Sequence, residues 1–165
     1  MTTSTERLRP SWRFLLGHPA HFVALGFGSG MVRLAPGTFG TLAAFPLYWY
    51  LSARFAGLDF LLLLAALFVA GIWACGKAGH ALGVHDHGAI VWDEIVAFML
   101  VLYFTPDGWR WQALAFLLFR LFDILKPPPI AYYDQHLPGG VGVMFDDLLA
   151  AGYALLCLAL WKSYG

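Results

Sequence analysis

Residues 58–78 run apolar almost without interruption, with Asp59 and Lys77 close to the two ends. A helix that crosses a bilayer takes about 20 predominantly apolar residues, and this run supplies them. Leu61-Leu62-Leu63-Leu64 shows no polar alternation, whereas a transmembrane barrel strand alternates. The run therefore predicts a helix. Four shorter apolar stretches accompany it, at residues 40–55, 89–104, 109–125 and 148–161. The chain is 60% hydrophobic and 12% charged, against about 45–50% and about 25% in an ordinary soluble domain. The expected fold is all-α: a compact, membrane-embedded bundle of about five apolar helices whose polar loops converge on one face. No internal repeat or low-complexity tract divides it. Residues 1–25 read as an N-terminal cytoplasmic or interfacial tail with Trp12, Phe14 and Phe22 toward lipid, and residues 26–165 as one domain.

The charges narrow the function. Formal net charge is zero, so no basic field points to nucleic acid. Cys75 and Cys157 lie far apart inside apolar stretches and read as small buried hydrophobes rather than a disulfide framework. With the N-terminus in the cytoplasm and one crossing per stretch, Arg7, Arg9, Arg13, Arg33, Lys77 and Lys126 fall on the cytoplasmic side. Arg54, Arg110 and Lys162 fall on the other side, and Arg120 lies within the fourth stretch. This is the direction of the positive-inside rule. The same drawing gathers Asp86, Asp93, Glu94, Asp123, Asp134, Asp146 and Asp147 at the cytoplasmic mouth, leaving Asp59 and Asp107 opposite.

Three clusters carry the polar residues. In the first, Arg120, Asp123 and Lys126 recur at helical spacing before Pro127, Pro128 and Pro129 end the helix. A glycine-rich loop follows, and Asp146 and Asp147 open the last apolar stretch. Taken singly, these are a structural salt bridge and a helix N-cap. In the second, His85, Asp86 and His87 precede Asp93 and Glu94, and a helix starting near Gly88 would hold both acids in its first two turns. Unpaired carboxylates there are strongly disfavoured, and a bound cation would offset the cost. Despite His80, His85 and His87, the abundance of oxygen ligands favours Mg²⁺ or Mn²⁺ over zinc. The alternative is a set of caps and ion pairs with Lys77. In the third, Gly26-Phe27-Gly28-Ser29-Gly30 leads to Pro36-Gly37-Thr38-Phe39-Gly40-Thr41. Such a turn entering a helix offers backbone N–H groups to an anion, with Thr38 and Thr41 adding hydroxyls. The alternative is close helix packing through small residues. Seven carboxylates on one face, with Arg120 and Lys126 among them, describe metal-assisted phosphoryl transfer. A transporter would carry its charges at mid-depth and often in paired halves, neither of which is seen.

These motifs resemble the phosphatidylglycerophosphatase A family. The resemblance runs through Pro36-Gly37-Thr38-Phe39-Gly40, then His85-Asp86 and Ile90-Val91-Trp92-Asp93-Glu94. It continues through Phe119-Arg120, Phe122-Asp123, Lys126-Pro127, Pro129-Ile130 and Asp134, and closes with Gly139-Gly140, Gly142, Met144 and Asp146-Asp147. Thr41 stands where serine is usual, Ala97 where glycine often follows the acidic pair, and Val143 where isoleucine is common. The resemblance implies a multi-pass bacterial inner-membrane enzyme, Mg²⁺-dependent and with its site facing the cytoplasm. It would hydrolyse phosphatidylglycerophosphate to phosphatidylglycerol and phosphate in phospholipid synthesis; the alternative substrate is another phospholipid monoester. No protein partner is implied. On this reading Asp93, Glu94, Asp123, Asp146 and Asp147 hold the metal, and Arg120 and Lys126 neutralise the phosphate oxygens. Asp86 or His85 relays a proton, and the Gly37-Thr38 turn cradles the phosphate.

Overall fold

Each apolar stretch folds as a helix, and prolines and glycines set most of the ends. The computed structural model describes residues 9–84 and 86–164. Among them the α-helices are α1 (Trp12–Gly17), α2 (Pro19–Ala24), α3 (Pro36–Ser52), α4 (Leu58–Leu82), α5 (Trp92–Phe104), α6 (Trp109–Leu125), α7 (Ile130–His136) and α8 (Gly139–Tyr164), with a 3₁₀ segment at Gly26–Met31. No strand occurs among the described residues. The five expected apolar helices are α3, α4, α5, α6 and α8. The expected N-terminal tail holds α1 and α2, with Trp12 and Phe22 exposed and Phe14 partly so. The Ser11 hydroxyl caps α1 by accepting from the Phe14 amide, and His18 Nδ1 accepts from Ala20 at the start of α2. Gly83 closes α4 in the left-handed region (φ 68°), where a residue with Cβ is disfavoured.

Helix α5 is the centre. Ile95, Phe98, Met99, Val101 and Leu102 on it are buried, and α3, α4, α6 and α8 pack around it. Helix α8 also lies along α4, α6 and α7. The α4–α8 crossing is backbone to backbone: a Cβ on Gly140 would stand 1.8 Å from the Ile72 carbonyl oxygen. Small residues at such a crossing let two helices approach without a side chain between them.

That contact corrects one expectation. The glycine-rich run 139–142 is not a loop but the first turn of α8, because its glycines are spent on close approach rather than on flexibility. Asp146 and Asp147 consequently sit in the third turn of a long helix and cap nothing. Likewise α5 starts at Trp92 rather than near Gly88, which places Asp93 and Glu94 in its first turn.

The exterior is apolar. Trp49, Leu62, Val69, Trp73, Leu117 and Trp161 are among many large hydrophobic side chains facing outward. Helix α4 and residues 139–163 of α8 are long and apolar enough to cross a membrane, by length and composition. At 13 residues α5 extends only about 20 Å, short of the ~30 Å hydrocarbon core.

Candidate active site

Four helices bring their polar ends together. The first turn of α5 contributes Asp93 and Glu94, the last two turns of α6 contribute Arg120 and Asp123, and the third turn of α8 contributes Asp146 and Asp147. The first two turns of α3 contribute no charge, only Gly37 and Gly40. A Cβ on Gly37 would lie 2.1 Å from Glu94 Oε1 and 3.0 Å from Arg120 Nη1. On Gly40 it would lie 2.8 Å from Glu94 Oε2. The absence of side chains here is what lets the Glu94 carboxylate fit against α3. Thr41 is buried, and its hydroxyl donates to the Gly37 carbonyl at 2.9 Å, so it holds the turn together from within.

Glu94, Asp123 and Asp147 each offer a carboxylate oxygen, all three within 4.8 Å of one another. Arg120 Nη1 donates to Glu94 Oε1 at 3.0 Å and to Asp123 Oδ2. Asp93 Oδ1, Glu94 Oε2, Asp147 Oδ2 and Arg120 Nε are buried without a hydrogen-bond partner among the described residues. Unsatisfied buried carboxylate oxygens are costly, and more so when they crowd one another. One guanidinium does not balance that much negative charge. The N-terminal end of α5 beneath Asp93 and Glu94 helps by about 0.3–1 kcal/mol each, too little to close the gap. The oxygen-only donor set and its unused lone pairs fit a hard divalent cation.

Lys126 does not join Asp123 as its helical spacing predicts. It is the residue at which α6 stops, in the left-handed region (φ 43°). Its ammonium therefore swings away and donates to Asp146 Oδ2 at 2.6 Å and Asp134 Oδ1 at 2.8 Å. Burial works against the Lys126 charge, but those two carboxylates override it and hold its pKa above the usual lysine range. The other oxygen of Asp146 accepts from the Asp147 amide at 3.0 Å.

Asp86 is exposed at the rim and, with Asp134, lines a side cavity of about 390 Å³. Thr38 is half-buried in the first turn of α3. His85 lies outside the described residues. Lys77 is exposed on α4 and forms no ion pair among the described residues, so it does not neutralise the acids of α5. Asp134, given no role in the sequence reading, fixes Lys126. No periodicity could have paired them, because a proline run and the start of α7 separate the two.

Lys126→Met is expected to leave Asp146 buried without its partner. The loss should reach about 1–2 kcal/mol in chemical denaturation, below the ~3–5 kcal/mol of a fully buried pair because Lys126 is partly exposed. The penalty should shrink in an Asp146→Asn background; equal penalties in both backgrounds would show that the pair is not coupled.

A family model described as phosphatidylglycerophosphatase A matches residues 22–162. The chain is 47% identical over 148 residues to a Haemophilus influenzae protein named phosphatidylglycerophosphatase A, covering 89% of this chain and 91% of that one. It is 40% identical over 139 residues to an Escherichia coli protein of the same name, covering 84% and 80%. A Bacteroides thetaiotaomicron protein provisionally named phosphatidylinositol-3-phosphatase is 41% identical over 148 residues, covering 84% and 90%. No solved structure matches the chain.

Proposed function

The chain belongs to the phosphatidylglycerophosphatase A family, and on that premise we propose that it is a membrane-embedded, Mg²⁺-dependent phosphatase that converts phosphatidylglycerophosphate to phosphatidylglycerol and phosphate. The observation that carries this reading is the convergence of Glu94, Asp123 and Asp147, with buried oxygens left over, beside Arg120. Those three residues would hold the metal, and Asp93 and Asp146 border them from the neighbouring positions of α5 and α8. When bound, Mg²⁺ would polarise the phosphate and lower the pKa of an attacking water.

The remaining work falls to the chain itself. Arg120 is fixed by Glu94 and Asp123 and keeps its Nε for an equatorial phosphate oxygen. Lys126, held between Asp134 and Asp146, adds a second positive charge at the edge of the site. Water oxygen attacks phosphorus, the bond from phosphorus to the ester oxygen breaks, and the departing glycerol oxygen takes a proton. Asp86 or His85 serves as the proton relay. The Gly37–Thr38 turn borders the phosphate while giving Glu94 its room.

The outward Trp, Leu and Val side chains and the two long helices support membrane embedding, as befits a lipid substrate. The bias of basic residues supports a site on the cytoplasmic side of a bacterial inner membrane, where the product enters phospholipid synthesis. A second reading, with an inositol-based phospholipid monoester as substrate, is favoured by the Bacteroides relative.

The deciding assay is phosphate release by purified protein in neutral detergent. Phosphatidylglycerophosphate, phosphatidylinositol 3-phosphate and phosphatidic acid would be supplied in parallel, with Mg²⁺ or with EDTA. Release from the first lipid is expected, with at least about a hundredfold loss in EDTA that added Mg²⁺ restores. Full activity in EDTA would overturn the metal assignment; preference for the inositol lipid would select the second reading.

A further inference from the structure

One cleft is not among the acids. It is a separate opening of about 750 Å³ in the loops beside them, lined by Arg9, Arg33, Pro36, His87 and the backbone of residues 30–32. Among the described residues no carboxylate lines it. Arg9 and Arg33 are exposed and form no ion pair among the described residues, in contrast to Arg120 and Lys126, which are ion-paired with acids. His87 is buried in its wall and is held there by its Nδ1 accepting the Ala89 amide at 3.1 Å. The cleft is also next door to the acidic site: Pro36 lines it, and the adjoining Gly37 is the residue against which Glu94 and Arg120 rest. On another side, the cavity lined by Asp86 and Asp134 repels anions. An anionic headgroup reaching the acids is therefore drawn in from the arginine side.

We propose that this cleft is a second anion subsite, which takes the phosphodiester joining a substrate's headgroup to its diacylglycerol while the terminal phosphate lies at Glu94, Asp123, Asp147 and Arg120. The proposal rests on the phosphatase reading above and gives it a selection rule. The enzyme accepts a monoester phosphate carried on a headgroup that is itself phosphodiester-linked. It disfavours phosphatidic acid, whose only phosphate is the monoester. Arg33 and Arg9 supply the charge, each able to make forked hydrogen bonds to phosphate oxygens, and His87 shapes the wall.

The test is the Arg9→Ala/Arg33→Ala double variant, assayed in neutral detergent micelles at fixed lipid fraction. KM for phosphatidylglycerophosphate is expected to rise about tenfold, with kcat moving far less, as for loss of a charge-assisted contact remote from the reacting bond. The apparent constant for phosphatidic acid, read as KM if it is hydrolysed and as Ki if not, should change less than about twofold. An equal rise for both lipids would mean general attraction of anionic lipid and would overturn the proposal. So would an unchanged KM for phosphatidylglycerophosphate. Wild-type protein that hydrolyses no lipid would fail the phosphatase reading itself, and the subsite with it, whereas an active wild type with an indifferent variant would fail the subsite alone.

Discussion

Asp147→Asn is expected to abolish phosphate release, by a factor on the order of a thousand, without unfolding the protein. Asp147 is almost fully buried, and one of its oxygens lies within 4.8 Å of the contributed oxygens of Glu94 and Asp123. Its other function is negative: among crowded acids it adds repulsion that only a bound cation offsets. The isosteric amide removes a charge and keeps the shape. In metal-free protein the variant should therefore melt at the same temperature as wild type or a few degrees higher. Stability and activity then move in opposite directions, as at a site where function is held against folding. A second readout separates this from a structural role. Mg²⁺ should raise the melting temperature of wild type, because it binds only the folded site, and should raise that of Asp147→Asn much less. An Asn variant that keeps wild-type turnover, or is stabilised equally by Mg²⁺, would remove Asp147 from the ligand set.

Gly37→Ala is expected to cost on the order of a hundredfold in activity although it adds one methyl group. By helix propensity alone the change is favourable by about 1 kcal/mol. The site decides otherwise, since the new carbon would stand 2.1 Å from Glu94 Oε1 and 2.9 Å from its Cδ. Glu94 is hemmed in by Arg120 and by the wall of α3 at Gly40. It has to rotate, and its carboxylate then leaves the group it shares with Asp123 and Asp147. Steady-state kinetics with a parallel melting curve checks this. A variant both more stable and fully active would show that Glu94 has room to move and that its position is not critical.

The two substitutions bear on how the site is made. Pro36-Gly37-Thr38-Phe39-Gly40 reads in sequence as an anion-binding turn, because free N–H groups and small residues are the usual signature of one. In the fold its glycines face a carboxylate and an arginine instead. The motif is required for what it leaves out, and its contact with phosphate is a matter for the proposed mechanism rather than its packing.

The sequence marks out the five long apolar helices, because apolar length and proline or glycine punctuation act locally, but not that residues 139–147 belong to α8 or that α5 starts at Trp92. It also determined that most of the acids lie at one end of the bundle, since each falls at the end of an apolar stretch. It did not determine which acid faces which. Asp146 and Asp147 are neighbours on α8, and successive helical residues point roughly 100° apart. Asp147 therefore meets Glu94 and Asp123, while Asp146 turns to Lys126. Lys126 is available to it only because α6 ends there in a left-handed residue, which breaks the spacing that would have paired it with Asp123. Local pattern carries no information on the rotation of one helix about its axis relative to the next. That rotation is set by packing, in α8 by the contact of Gly140 with Ile72, and it is packing that assigned each carboxylate its partner.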